Sequence, residues 1–177
     1  MRPLSFFPAL ILCAPLASAQ MDSITTTFAS NNGHTGNIFT VSVTSDVTIH
    51  SFDINSSSTA AFTVDIYYRL GSYTGFETDP TAWTLGGTAS VTSNGADMAT
   101  PVPVDIDLDV AAGDVWSFYI TGSGFKYTNG TQEGVPFVSD SNLTIHEGLG
   151  MGPPWSGTYF TPRIWNGTIH YEAGPRL

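Results

Sequence analysis

Three aspartates, Asp105, Asp107 and Asp109, alternate with apolar residues in the middle of the chain. In a strand their carboxylates project from one face, with about 7 Å between neighbours, since a strand rises roughly 3.3 Å per residue. Such an acidic ledge suits calcium, a hard cation that prefers oxygen ligands. It equally suits a charged edge strand that blocks edge-to-edge pairing, and Pro103 in the same segment supports an edge position. The sequence favours the edge strand and leaves calcium as the alternative.

Aromatic residues in Gly-rich and Pro-rich segments form a second candidate set. Trp155 lies in the segment 152–157, which lacks strand periodicity, and Tyr73 and Phe76 lie in a similar loop at 71–76. Tyr127 directly precedes a predicted turn. Exposed aromatic rings offer a large apolar contact area to which the apolar face of a sugar can stack. These four residues are therefore ligand-binding candidates, against the alternative that they cap an open end of the core.

Residues for catalysis are harder to assemble from this sequence. There is no Gly-x-Ser-x-Gly nucleophile segment. Glycoside hydrolysis needs two facing acids, and the best acid-base doublet is Glu147 beside His146, although neighbours on a strand point to opposite faces. The four histidines are widely spaced, with no His-x-x-x-His pair, which favours single surface histidines over a zinc site. The sequence therefore favours a non-enzymatic protein.

Strands must position these residues, because period-two alternation dominates the chain. It is clear in Phe39–Val43, in Phe62–Arg69 and in Val102–Val110, with Gly, Asn and Asp clusters between such runs. In Val47–Ile54 the apolar phase slips between Ile49 and Phe52, as a β-bulge would cause. We predict an all-β fold of eight to ten short antiparallel strands in a two-sheet sandwich of the jelly-roll type.

The N-terminal segment predicts export. Met1–Ala19 combines Arg2, an apolar run and small residues before Gln20, which is typical of a removed secretory signal peptide. We expect a single sandwich domain at 20–172 and a C-terminal tail at 173–177. No later stretch approaches the roughly 20 apolar residues needed to span a bilayer. The expected location is extracellular, or the periplasm or cell surface.

The charge balance excludes one class of partner. Fifteen Asp and Glu residues stand against five Lys and Arg, which gives a formal net charge of -10 at pH 7. Such an acidic chain cannot form the basic stripe that phosphate neutralisation requires, so nucleic acid is excluded as a partner. Cys13 is the single cysteine and lies in the predicted signal, so the exported chain is expected to have no disulfide.

Spaced motifs across the chain resemble a known family. They are Asn31-Asn32-Gly33-x-x-Gly36-Asn37-x-Phe39, Tyr67-Tyr68-Arg69-x-Gly71-Ser72-Tyr73-x-Gly75-Phe76-Glu77, Ala82-Trp83-Thr84, Tyr127-Thr128-Asn129-Gly130, Leu143-Thr144-Ile145-x-Glu147-Gly148 and Arg163-x-Trp165-Asn166-Gly167. This set resembles a secreted β-sandwich domain of bacterial surface proteins that often carry a C-terminal Pro-Glu-Pro sorting signal. That signal is absent from this sequence. The resemblance implies the fold and export, and brings no catalytic residues.

Together these features predict a secreted, non-enzymatic module of a surface or matrix. Its expected partners are a polysaccharide or a surface protein, contacted through the loop aromatics, with calcium as a possible bound ion. Two alternatives stay open: a polysaccharide-active hydrolase using Glu147, and a structural envelope protein that associates with itself through an exposed edge.

Overall fold

The computed structural model describes residues 21–174. The predicted signal peptide Met1–Ala19 and the last three residues of the predicted tail lie outside this range. The first tail residue, Ala173, is paired with Val47 and so continues the last strand.

Antiparallel strands make up most of the described chain. A single 3-10 turn at Pro80–Ala82 interrupts them between the fourth and fifth strands. The strands are β1 (Met21–Thr25), β2 (Asn32–Val43), β3 (Val47–Ser56), β4 (Phe62–Leu70), β5 (Thr84–Val91), β6 (Gly95–Pro101), β7 (Leu108–Val110), β8 (Val115–Asn129), β9 (Pro136–Ser139), β10 (Leu143–His146), β11 (Gly148–Met151), β12 (Tyr159–Trp165) and β13 (Gly167–Ala173).

The strands form two layers. The first layer has the strand order β5-β4-β8-β2-β10-β9. The second layer has the strand order β1-β13-β3, and β6 and β7 pair with the edge of β3 that faces away from β13. The long strand β8 joins the layers, because its C-terminal part turns to pair with β12 and meets β3 at Phe125 and Ser56. The connected ladder therefore folds back over itself as a sandwich.

Between the layers lies the inner core, the buried apolar side chains that both layers contribute. Phe39 of β2 stacks on Trp165 of β12 with centroids 4.3 Å apart, and Phe52 of β3 meets Phe118 of β8 at 5.3 Å. None of these four side chains is more than 1% exposed. Burying one side chain of this size stabilises a fold by about 1.5–3 kcal/mol, so this core is the main source of stability.

The predicted sandwich is confirmed, and so are the strands at Phe39–Val43 and Phe62–Arg69. The described chain has thirteen strands rather than eight to ten, because several pairings are only three or four residues long. The predicted bulge is also present: His170 pairs with Ser51 and Tyr171 with Ile49, which leaves one extra residue in β3.

The strand predicted at Val102–Val110 is wrong over most of its length, since only Leu108–Val110 is a strand. Pro101 and Pro103 have no N–H to give to a ladder. Val104 instead donates to the Val102 carbonyl at 2.8 Å, a tight three-residue turn. Alternation of apolar residues arises here because the side chains of Val102 and Val104 are buried from an irregular segment.

Candidate functional site

The bulge in β3 sets the position of His50. This residue is the extra one in the ladder, since its neighbours Ile49 and Ser51 are both paired with β13. Bulges re-aim side chains and are common beside functional sites. The His50 carbonyl accepts a hydrogen bond from the Ile106 N–H at 2.8 Å, which ties the irregular segment 102–107 to the bulge.

Two of the three predicted aspartates converge on the His50 ring. The Nδ1 atom of His50 lies 2.7 Å from Asp107 Oδ1 and 3.5 Å from Asp105 Oδ1. One potential ligand atom from each of the three residues lies within 4.8 Å of the other two. The side chain of His50 is 15% exposed, whereas those of Asp105 and Asp107 are 66% and 48% exposed. The cluster is therefore open to solvent on its acidic side.

The third aspartate lies apart from this cluster. Asp109 belongs to β7, opposite Thr48 of β3, and its Oδ1 accepts a hydrogen bond from the Thr48 hydroxyl at 2.8 Å. Asp107 has a positive φ of 42°, so the extended backbone of β7 does not continue from Asp109 back to Asp107. The expected ledge of three carboxylates on one strand face is therefore wrong, because the backbone is not extended there.

A histidine nitrogen with two carboxylates fits a divalent ion of borderline character, such as zinc, better than calcium. Glu172 Oε2 lies 3.7 Å from His50 Nε2, on the other side of the ring. Sequence reasoning missed His50 because 57 residues separate it from Asp107. The phase slip in β3 was the available signal, since a bulge turns a side chain out of the ladder.

Apolar residues also cover the outward face of the first layer, where we define the outer cluster. Its buried members are Ile38, Tyr73, Trp83, Tyr119, Leu149 and Met151, with Tyr67, Ala82 and Trp155 packed against them. Tyr119 lies between Phe118 and Ile120 on β8 and so points away from the inner core. Loop segments 71–83 and 152–157 close this face in place of a third layer of strands.

Trp155 packs edge-on against the outer cluster. Its ring lies 5.0 Å from that of Tyr119, at 89°, and 5.2 Å from that of Tyr67, at 81°. The backbone of Trp155 has a φ of 62°, an unusual conformation for a bulky residue. Strain of this kind persists only where surrounding structure holds it. Trp155 therefore anchors its loop to the sheet rather than lying free in solvent.

Tyr73 is placed inside the outer cluster, at 3% exposure. Its hydroxyl donates a hydrogen bond to Glu133 Oε1 at 2.9 Å. Burial, together with this hydrogen bond, raises the pKa of Tyr73. The residue fixes loop 71–83 to the loop that carries Glu133, and its side chain is buried within the outer cluster.

Phe76 stays partly exposed, at 38%, but its ring is covered by a cation. The Arg69 guanidinium carbon lies 3.9 Å from the ring centroid. The Phe76 carbonyl accepts a hydrogen bond from Trp83 Nε1 at 2.9 Å. The loop is therefore held by a cation-π contact on one side and by the indole on the other.

Tyr127 is separate from the other three aromatic candidates. It lies near the end of β8, pairs with Trp165 of β12, and is 1% exposed. Burial raises the pKa of its hydroxyl, and the nearby Arg163 opposes that shift. The structure thus brings Trp155, Tyr73 and Phe76 to one face, and places Tyr127 elsewhere.

A groove of about 330 Å³ lies beside the Trp155 loop. Its apolar lining includes Phe62, Pro153 and Pro154, and its polar lining includes Asp65 and Thr121. Asp65 Oδ1 already accepts a hydrogen bond from the Thr88 hydroxyl at 2.6 Å. The Thr121 hydroxyl donates to the Thr35 carbonyl at 2.8 Å, so the groove combines apolar side chains with the Asp65 carboxylate as its main polar group.

Glu147, the acid considered for hydrolysis, is used within the fold. It is 4% exposed, and its carboxylate accepts hydrogen bonds from the Thr131 N–H at 2.6 Å and the Gln132 N–H at 2.9 Å. The Thr131 hydroxyl donates to the other oxygen at 3.0 Å. This buried carboxylate therefore holds the turn that follows β8.

No protein-family model matches this chain. No curated protein matches it either. Within residues 21–174, no helix is long and apolar enough to cross a membrane.

Some solved structures are similar in part. The VP2 subviral particle of infectious bursal disease virus shares 14% identity and has a TM-score of 0.27, and the Gx strain of that virus shares 11% with a TM-score of 0.26. The matches cover 96% and 99% of this chain, but 47% of each viral chain, so this chain spans about half their length. At scores this low the likeness carries no argument about function.

Proposed function

We propose that the protein is an exported, non-enzymatic binding module of a surface or matrix that contacts glycan chains at the groove beside the Trp155 loop. The observation that carries the proposal is the composition of that groove. An apolar wall of Phe62, Pro153 and Pro154 suits the apolar face of a sugar ring, while the Asp65 carboxylate suits its hydroxyl groups.

The anchoring of the loop supports this proposal. Pro153 and Pro154 are fixed in φ by their rings, and Trp155 ties the next position to Tyr67 and Tyr119. A groove wall held in this way loses little conformational entropy when a ligand binds, and such preorganisation favours affinity. In this proposal Trp155 is a positioning residue for the wall rather than the stacking surface predicted from sequence.

Export and the surface role rest on the sequence. The signal-like segment Met1–Ala19 and the spaced motifs that resemble bacterial surface domains both support them. The buried position of Glu147 supports the non-enzymatic part, since its carboxylate is occupied by the 131–132 turn.

The test is retention of the purified protein on insoluble and arrayed neutral polysaccharides, such as cellulose, chitin and mannan. We expect retention on at least one of them. Asp65→Asn should weaken it about tenfold or more, because hydrogen bonds to a charged group contribute about 1.5–3 kcal/mol. Asp22→Asn, a change at an exposed carboxylate in β1, is the matched control and should leave retention unchanged.

Three results would contradict the proposal. They are no retention on any neutral polysaccharide, equal retention of Asp65→Asn and the unaltered protein, and release of reducing sugar from the retained polymer. Circular dichroism of each variant establishes that the fold is intact, so that lost retention reports the groove itself.

A further inference from the structure

Arg163 of β12 is an unusual cation in this acidic chain. With fifteen acidic residues to five basic ones, a partner would be expected, yet no described carboxylate lies within ion-pair distance of its guanidinium. Its Nε is buried and has no hydrogen-bond partner within residues 21–174. Its Nη1 donates to the Pro162 carbonyl at 2.7 Å. A partly buried guanidinium that lacks a counter-charge is costly and suits an external anion.

The guanidinium lies in a cleft between aromatic rings. The Arg163 Cζ atom is 5.8 Å from the centroid of the Tyr127 ring and 6.0 Å from that of Phe160. Phe160 is 40% exposed, and its ring stacks on His34 with centroids 5.7 Å apart. The cleft encloses about 250 Å³ and is also lined by Asn32. Space of this size accommodates one small ring.

Strand pairing and a glycine build this cleft. Asn32 of β2 pairs with Tyr127 of β8, and Arg163 pairs with Asn129 at the end of the same strand. A side chain on Gly150 of β11 would place its Cβ 2.5 Å from Tyr127 Cζ. The glycine therefore leaves the room that the Tyr127 ring occupies at the base of the cleft.

We propose that the Arg163 cleft binds the carboxylate of a uronic acid residue. The fork of a guanidinium matches a carboxylate in two parallel hydrogen bonds. The Phe160 ring, which is 40% exposed, suits the apolar face of the sugar ring. The Asn32 Nδ2 atom donates one hydrogen bond to Asn129 Oδ1 at 3.0 Å and has a second N–H for a sugar hydroxyl. These neighbours favour a sugar over an acidic peptide, whose carboxylate brings no ring to stack.

The charge of the protein limits the ligand further. A net charge of -10 repels a dense polyanion, and this repulsion is screened beyond about 8 Å at physiological salt. The cleft therefore favours isolated or terminal uronate residues over a continuous polyuronate. This inference concerns a site apart from the Asp65 groove and uses a different ligand, so either proposal can fail alone.

The experiment is calorimetric titration of the purified protein with glucuronic acid, glucose and the methyl ester of glucuronic acid, up to about 10 mM. We expect glucuronic acid to bind at least about tenfold more tightly than the two uncharged sugars, because only it offers the carboxylate. A short oligosaccharide with one terminal uronate should bind more tightly than polyuronate at low salt.

Variants assign the binding to this cleft. Arg163→Met should abolish glucuronate binding, and Arg163→Lys should weaken it about tenfold, because lysine keeps the charge and loses the fork. Phe160→Ala should also weaken it, whereas Phe137→Ala, a change at an equally exposed ring in β9, is the matched control. A cooperative thermal unfolding transition shows that each variant is folded. If Arg163→Met does not fold, Arg163→Lys, which keeps the charge, still tests the role of the guanidinium.

Four results would overturn the inference. They are no binding of glucuronic acid in this range, equal binding of glucose, unchanged glucuronate affinity in folded Arg163→Met, and tighter binding of an N-acetylated aspartyl dipeptide than of glucuronic acid. The last result would assign the cleft to acidic peptides instead.

Discussion

The inner core and the outer cluster occupy opposite faces of the same strands, yet they are closed in different ways. On β8, Phe118 points into the inner core and the next residue, Tyr119, points into the outer cluster. A second layer of strands closes the inner core, whereas loop segments 71–83 and 152–157 close the outer cluster. One sheet therefore supports both the fold and a loop-built surface.

The chemistry of the two regions differs accordingly. The inner core is mostly aliphatic side chains and phenylalanines, while the outer cluster is rich in Tyr and Trp that need polar partners. Tyr73 donates to Glu133, and Trp83 donates to the backbone of Phe76. Backbone N–H and C=O groups that strands would pair with each other stay available in loops. Tyr and Trp suit a face closed by loops, because their rings pack against the sheet while their O–H and N–H groups bond to these loop groups. Loop-borne surfaces are also where binding sites concentrate.

The largest expected effect is in the inner core. Phe118→Ala should lower the free energy of unfolding by about 3–5 kcal/mol, because it leaves a cavity between two rigid layers. Denaturant unfolding measures this loss, and Phe76→Ala, at a ring that is 38% exposed, should cost far less. Equal losses for the two variants would contradict the division between core and loop-closed face.

In the outer cluster, Trp155→Ala should cost about 1–2 kcal/mol, because it removes two edge-on ring contacts from a partly exposed site. The backbone offers a sharper comparison. At a φ of 62°, Trp155→Gly should be about 1 kcal/mol more stable than Trp155→Ala, since a left-handed conformation costs a non-glycine residue about that much. The reverse order in thermal unfolding would show that the loop is not held in this conformation.

Alkaline pH should test both regions. Burial raises the pKa of Tyr119 in the outer cluster, and of Tyr171 in the inner core, to about 12 from 10.0. Folding favours the neutral phenol. The contribution of each tyrosine to the free energy of unfolding is therefore fully present below pH 10 and is lost as pH rises toward 12. Unfolding of Tyr119→Phe and Tyr171→Phe between these pH values should show a weaker loss of stability than the unaltered protein. An unchanged pH dependence in both variants would contradict the assignment.

The smallest expected effect is a shift of the thermal midpoint when zinc binds at His50, which lies outside both regions. Zinc should raise the thermal midpoint by about 2–4 °C for each kcal/mol of binding free energy, and calcium should raise it less. His50→Ala should remove the zinc effect. His170→Ala is the matched control, because within residues 21–174 Asp53, at 3.1 Å, is the one carboxylate within ion-pair distance of His170. A zinc effect that survives in His50→Ala would exclude the cluster.

Period-two patterns made the strands predictable. Phe39–Val43 and Phe62–Arg69 alternate because one side faces the inner core, and the slip after Ile49 revealed the bulge. The same rule failed at Val102–Val110, where prolines remove ladder donors while Val102 and Val104 remain buried. Alternation reports burial on one side, and burial does not require a ladder.

The candidate sites were less predictable because they depend on contacts between distant parts of the chain. His50 and Asp107 meet across 57 residues, and the Trp155 loop meets Tyr67 through the sheet surface. No local sequence signal marks Arg163 as an anion-binding candidate. It is one because its guanidinium has no carboxylate partner among the described residues, in a chain rich in acids. Such properties appear only when the strands are in register.

The pairing of the first strand with the last has a consequence for how the chain reaches its folded state. Met21–Thr25 aligns with Thr168–Glu172, so the second layer closes only when both ends of the domain are present and free. Sheets built from such distant segments form slowly. Under the proposed export of this chain, that order would postpone compaction until translocation is complete.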